Sequence, residues 1–232
     1  MFNKNIEINI KLIRRAFLGT TGTFIAGSLM ASPLAGKALS RGEKIKTVLV
    51  GTGIRGTSFW GRTLVQDFPD ILEFVGLCDI NPGRLEYARN YMGVDCPSYT
   101  DFEQMVKETK PDLVLVTTKD STHHEFIIKG LDMGCDVLTE KPLTTDEDKC
   151  QAILDAERRS NNKLIVGFNY RWSPYPTKIK ELLQSETIGK ITSVDFHWYL
   201  NTYHGASYFR RWHGLRQAGG TLWVHKATHH FD

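Results

Sequence analysis

A glycine-rich turn between a short apolar run and a helical pattern constrains this chain more than any other feature. Residues 45–50 (IKTVLV) are rich in β-branched apolar side chains, and Gly51-Thr52-Gly53-Ile54-Arg55-Gly56 follows at once. An apolar run of that length suits a parallel strand covered on both faces. Gly51 permits a tight turn, Gly53 lets the backbone approach a ligand closely, and Gly56 lets the helix pack onto the strand. Beyond it the pattern alternates. Helices are expected at 54–67, 82–92, 122–133 and 144–159, and strands at 71–78, 113–117, 135–139 and 164–168. Asn81-Pro82 starts the second of these helices, and Thr144-Thr145-Asp146-Glu147 opens the last, with Thr capping and acids in the first turn. Strand–helix alternation predicts an α/β fold built on a doubly wound parallel sheet, Rossmann-like in plan.

That plan gives the turn a chemical meaning. The helix N-terminus beside the glycines carries free N–H groups and positive dipole, so Gly51, Gly53, Ile54, Arg55 and Gly56 are expected to bind a pyrophosphate. Asp79 closes the second strand, 23 residues after Gly56. A carboxylate there accepts hydrogen bonds from adenosine ribose hydroxyls and repels a 2′-phosphate, so NAD is expected over NADP, with Arg84 as the residue that keeps NADP open. A surface Asp beside an ordinary strand–turn–helix is the bland alternative.

Charge is uneven. The chain carries 29 Lys+Arg against 26 Asp+Glu, but Lys4, Lys11, Arg14, Arg15 and Lys37 lie in residues 1–40 with Glu7 as the one acid there. The remainder is close to neutral and offers no electrostatic case for nucleic acid. Cys78, Cys96, Cys135 and Cys150 show no CxxC spacing, against a zinc ribbon or a small disulfide scaffold. Residues 1–40 read as an export leader. Ile13-Arg14-Arg15-Ala16-Phe17-Leu18 resembles a twin-arginine signal, and the weakly apolar stretch after it holds Gly19, Gly22, Gly27 and Pro33, a poor membrane-spanning helix. Export to the periplasm is the expectation, with an uncleaved amphipathic anchor as the alternative.

Later segments carry a family resemblance. Thr117-Thr118-Lys119-Asp120-Ser121-Thr122-His123 follows a strand, and Gly134-Cys135-Asp136-Val137-Leu138-Thr139-Glu140-Lys141-Pro142-Leu143 succeeds it. Val166-Gly167-Phe168-Asn169-Tyr170-Arg171 and Ile188-Gly189-Lys190-Ile191 come after. In that order over residues 45–232 they resemble the Gfo/Idh/MocA oxidoreductases, whose hallmark is Glu-Lys-Pro. Two departures stand out: Lys119 sits where the family often has Pro, and His225 stands where its catalytic Asp would be, while His229 keeps the His position. The resemblance implies an NAD-binding domain over 45–168 and, over 169–232, the start of a second α/β domain on an open mixed sheet, with 190–200 as its first strand. It also implies that the chain is truncated, that the full-length protein is a homo-oligomer, and that Thr117, Thr118, His123, Glu140 and Lys141 contact cofactor. The Lys141-Pro142 peptide bond is often cis in the family.

Lys141 lies just past a strand's carboxyl end, the side on which open α/β sheets bind ligands. A lysine desolvated there can exchange a proton with a hydroxyl; a solvated lysine paired with Glu140 is the alternative. His225 and His229 are spaced i, i+4. They read as acid–base groups opposite Lys141, as a satisfied polar interface, or as a zinc pair; HKATH lacks the Glu of HExxH and a third ligand, so no metal is expected. Trp198, Tyr199, Tyr203, Tyr208, Arg211 and Trp212 crowd a short stretch where aromatic faces can stack on sugar C–H faces and Arg can grip hydroxyls. Arg171, Tyr208, Arg211, Trp212 and Asp232 are the expected substrate contacts. The expected reaction is NAD-dependent oxidation of a secondary alcohol in a sugar or polyol. The alternatives are an NAD-dependent glycosidase working by oxidation, elimination, hydration and reduction, and a nucleotide-binding fragment without a complete active site.

Overall fold

Six strands pair in the order β3-β2-β1-β4-β5-β6, every pair parallel. The structure is a computed structural model and describes residues 43–232. The strands are β1 Ile45–Val50, β2 Leu72–Cys78, β3 Ser98–Tyr99, β4 Leu113–Val116, β5 Asp136–Glu140 and β6 Leu164–Gly167. The order reverses between β1 and β4, so a crevice opens beyond the strands' carboxyl ends at that point. Alternation within the strands splits the core into two layers. Ile45 and Leu49 pack with Trp60, Leu64 and Leu85 on one face. Val48 and Val50 pack with Met105, Ile127 and Ile153 on the other. Each fully buried aliphatic side chain of this kind contributes about 1.5–3 kcal/mol relative to exposure.

The helices start where short polar side chains can hold free N–H groups. Asn81 accepts from the Gly83 and Arg84 amides and caps α2, Pro82–Met92, behind α1, Thr63–Asp67. Asp101 caps α3, Phe102–Thr109, through the Gln104 amide. After α4, His123–Asp132, comes α5, Glu147–Arg159, capped by Asp146 through the Lys149 amide. The cap is therefore Asp146 rather than the expected Thr, because Asp146 is the last residue with extended backbone before the helix. The helix expected at 54–67 forms, but Arg55–Arg62 is π-wound before α1 continues it. Strand β3 and helix α3 add to the elements expected from the sequence.

Past β6 the chain runs through a 3₁₀ turn, Asn169–Trp172, into α6, Pro174–Gln184, then α7, Thr202–Arg210, α8, Arg216–Gly219, and α9, Thr228–Phe231. The strand expected at 190–200 is not formed. Those residues are irregular and almost wholly exposed, since no neighbouring strand among the described residues takes up their backbone N–H and C=O groups. The leader expected at 1–40 lies outside the described residues. No helix among the described residues is long and apolar enough to cross a membrane. Cys78, Cys96 and Cys135 are buried free thiols, pushed up by that burial to about 12, 11 and 12, which keeps them protonated and unreactive.

The second and third glycines of the turn differ in kind. A Cβ on Gly56 would sit 2.4 Å from the Gly51 carbonyl oxygen and 2.5 Å from Thr117 Oγ1, whereas one on Gly53 would meet nothing within 4 Å. Gly56→Ala is expected to cost about 1–3 kcal/mol of stability and Gly53→Ala less than about 0.5 kcal/mol, read by urea unfolding. Equal costs would contradict the packing role of Gly56.

Candidate active site

Four strand ends meet at the crevice. Gly51 follows β1, Asp79 follows β2, Thr117 and Thr118 follow β4, and Lys141 follows β5. Gly51 has φ 89°, and a Cβ there would lie 2.7 Å from the Thr117 carbonyl oxygen, so the turn and the β4 end touch backbone to backbone. Thr117 Oγ1 donates to the Gly51 carbonyl at 2.6 Å and fixes that contact. Thr118 Oγ1 accepts from Thr122 at 2.9 Å. Asp79 is buried; its Oδ2 accepts from the Thr52 amide at 2.8 Å and hydroxyl at 3.0 Å, and its Oδ1 accepts from the Asn81 amide at 2.9 Å. A carboxylate has about four acceptor positions, so one remains for a ribose hydroxyl. With the open approach at Gly53 and the exposed Ile54 beside it, the turn fits a dinucleotide. Arg84 is exposed on α2.

Arg55 and Glu140, both expected on cofactor, are joined to each other. Arg55 Nε donates to Glu140 Oε1 at 2.9 Å, a second guanidinium nitrogen pairs with the same oxygen, and the Trp60 indole N–H donates to it at 2.7 Å. Glu140 is 7% exposed, so these donors are what let it stay buried. Its other oxygen accepts from the Lys141 amide at 3.2 Å. The Lys141 ammonium is thereby free of Glu140 and instead donates to the His225 carbonyl oxygen at 2.7 Å. Burial pulls the Lys141 pKa below the ordinary lysine range, against the opposing charges of Glu140 and Asp120. His123 serves the same turn. Its buried ring places Nδ1 2.9 Å from the Pro142 carbonyl oxygen, across from a cis Lys141-Pro142 bond, and Nε2 3.3 Å from the Thr118 carbonyl. Burial lowers its pKa, so the ring is neutral and its one N–H serves the shorter contact.

The C-terminal segment brings the histidines to this edge by different routes. A π-wound stretch, Trp223–Ala227, precedes α9, so His225 and His229 do not share one simple α-helical face. His225 is buried with Nδ1 2.6 Å from Asp120 Oδ2. Tyr208 and Trp212 approach its ring at 6.3 and 6.2 Å between centroids, and the His213 ring meets it edge-on at 4.8 Å. His229 stacks on Tyr170 at 4.1 Å, and its Nδ1 is buried without a hydrogen-bond partner. Arg171 and Asp232 pair with each other. Arg211 is exposed beside Trp212. The residue that sequence reasoning left without a role is Asp120. Its signal was position: an acid four residues past the apolar run of β4, at the carboxyl end of the sheet. Among the described residues, no group of three or more His, Cys, Asp or Glu is placed to hold a metal ion.

Burial lowers His213 to about 4 and His229 to about 3, with the charges of His225 and of Lys141, respectively, adding to it. Both rings are neutral at pH 7. As pH falls below the ordinary histidine value of 6.5, the unfolded chain takes up protons that the folded one refuses, so stability is lost down to about 4 and about 3. Thermal unfolding is expected to move to lower temperature between pH 7 and pH 5, and His229→Gln is expected to flatten that slope. An unchanged slope in the variant would contradict the neutral assignment.

Comparison with known proteins agrees with this architecture. Residues 45–168 match the oxidoreductase family with an NAD-binding Rossmann fold, and residues 180–232 match that family's C-terminal alpha/beta domain. YteT of Bacillus subtilis (strain 168), an oxidoreductase by assignment and without a named substrate, is 42% identical over 80% of this chain and 44% of its own length. An inositol 2-dehydrogenase/D-chiro-inositol 3-dehydrogenase of Lactiplantibacillus plantarum is 27% identical over 68% of this chain and 45% of its own. The chain thus spans under half the length of these curated relatives. A WlbA dehydrogenase from Chromobacterium violaceum, solved with NADH and UDP-GlcNAcA, superposes with a TM-score of 0.70 at 24% identity, covering 81% of this chain and 53% of that one, a likeness of fold. With the glycine turn, Asp79 and the Glu140-Lys141-Pro142 edge in these positions, the chain belongs to the Gfo/Idh/MocA oxidoreductase family.

Proposed function

We propose that this chain carries the NAD site and the acid–base groups of an oxidoreductase acting on a secondary alcohol of a sugar or polyol. The observation that carries the reading is the half-buried Lys141 ammonium at the carboxyl edge of β5, held 2.7 Å from the His225 carbonyl and not spent on Glu140. Bound NAD supplies the hydride acceptor. Gly53 leaves room for the pyrophosphate, Gly51 and Gly56 let the turn close against β4, and Asp79 takes the adenosine ribose. Lys141 holds the substrate hydroxyl oxygen and lowers the cost of negative charge there. His225, hydrogen-bonded to Asp120, and His229, whose burial keeps its imidazole neutral, are the two groups available to take the hydroxyl proton. Tyr208 and Trp212, already against the His225 ring, supply faces for a sugar ring. Arg171 and Asp232 would reach substrate only by opening their mutual pair. The twin-arginine-like pattern at Arg14-Arg15 supports export, with the periplasm as the expected site of the reaction.

Lys141→Ala is expected to lower kcat by about 10²–10⁴-fold while leaving NAD affinity within about twofold, measured by steady-state rates and calorimetric titration. Undiminished turnover in that variant would end this reading. Accumulation of NADH with a free sugar supports the dehydrogenase; aglycone release with no net NADH would replace it by NAD-dependent glycoside cleavage. Asp79→Ala is expected to weaken NAD and to admit NADP, and tighter NADP than NAD binding by the unaltered protein would contradict the role given to Asp79.

A further inference from the structure

We infer that Asp120 is a positioning residue that fixes the His225 ring with Nδ1 protonated, so that Nε2 is the nitrogen presented to substrate. This rests on the oxidoreductase reading for its consequence and on geometry for its cause. Asp120 is 4% exposed, His225 is 8% exposed, and Asp120 Oδ2 lies 2.6 Å from His225 Nδ1. A carboxylate only accepts, so the ring nitrogen facing it must carry the proton; a neutral imidazole has one N–H, which leaves Nε2 as a lone pair. A bare Nδ1 against a buried carboxylate would leave two acceptors facing each other in low dielectric, at a cost neither group can relieve in place.

The charges around the ring give Asp120 a second task. Lys141 sits on the His225 carbonyl, Lys226 is the next residue along the chain, and the Arg55 guanidinium faces the same edge through Glu140. His213, edge-on to the ring, is neutral at physiological pH. Against these cations the Asp120 carboxylate, 2.6 Å from Nδ1, is the anionic partner of the ring. In turnover the substrate O–H bond breaks and its proton goes to Nε2. NAD bound at the turn would supply the two-electron acceptor for the carbinol hydride, which balances the proton lost from oxygen as the alcohol becomes a carbonyl. The Asp120–His225 contact then becomes an imidazolium–carboxylate pair without either group moving.

Two readouts test this. Long-range proton–nitrogen NMR of histidine-labelled protein is expected to show His225 protonated at Nδ1 and bare at Nε2 near neutral pH, and Asp120→Ala is expected to lose that fixed tautomer. A ring protonated at Nε2 in the wild type, or an unchanged tautomer in Asp120→Ala, overturns the inference, and the wild-type spectrum decides it even if a variant fails to fold. In kinetics, Asp120→Asn is expected to lower kcat by about tenfold or more, with KM and NAD affinity within about twofold and Asp120→Glu recovering part of the loss. Placed on His225→Ala, Asp120→Asn is expected to add nothing; additive losses would contradict a role through His225. If the wild-type protein oxidises no sugar or polyol, the enzymatic reading fails while the NMR result still decides the tautomer.

Discussion

Two polar contacts hold the C-terminal segment against the sheet, and the site depends on both. The Lys141 ammonium reaches the His225 carbonyl across 84 residues of sequence, and Asp120 reaches the His225 ring across 105. Contacts so distant in sequence form only after the chain has closed long loops, so they follow the sheet rather than build it. The sheet offers two strand ends, those of β4 and β5, and each contributes one charged group to a single histidine. Tyr208, Trp212 and His213 surround the His225 ring, and these two contacts tie that cluster to the strand ends.

The carboxyl edge is a place where several local choices agree. Backbone contact between Gly51 and Thr117 brings β1 and β4 together at the reversal point, and Gly56 allows the helix to settle on the same spot. Thr52 and Asn81 hold the Asp79 carboxylate from two sides, so the group that faces a ribose is fixed before any ligand arrives. Arg55 and Trp60 keep Glu140 buried, which in turn frees Lys141. Each of these is an ordinary contact. Together they place one turn, one carboxylate and one ammonium along a line that a dinucleotide can span.

Most of this frame was legible in the sequence because it follows from short-range rules. Strand β4 is a continuous apolar run, β1 and β5 carry shorter apolar stretches at Val48–Val50 and Val137-Leu138, and the turn after β1 is unmistakable once Asp79 is placed. Helix α3 is legible too: Asp101 caps it, and Phe102, Met105 and Val106 form its buried face at helical spacing. Strand β3, at two residues on the sheet edge, has no periodicity to read. The failure at 190–200 is of another kind. Alternating apolar residues such as Val194, Phe196 and Trp198 suit a strand, but a strand exists only with a partner, and pattern alone does not supply one. Asp120 shows the same limit. Its chemistry was visible, whereas its meeting with His225 is a product of topology.

The most direct test is the position of the nucleotide itself, seen in a crystal structure of the protein with NAD. The account predicts an adenosine ribose on the Asp79 carboxylate, the pyrophosphate over Gly53, and the nicotinamide ring in contact with Lys141 on the side of His225. A nucleotide bound elsewhere, or one whose nicotinamide lies away from Lys141, would contradict it.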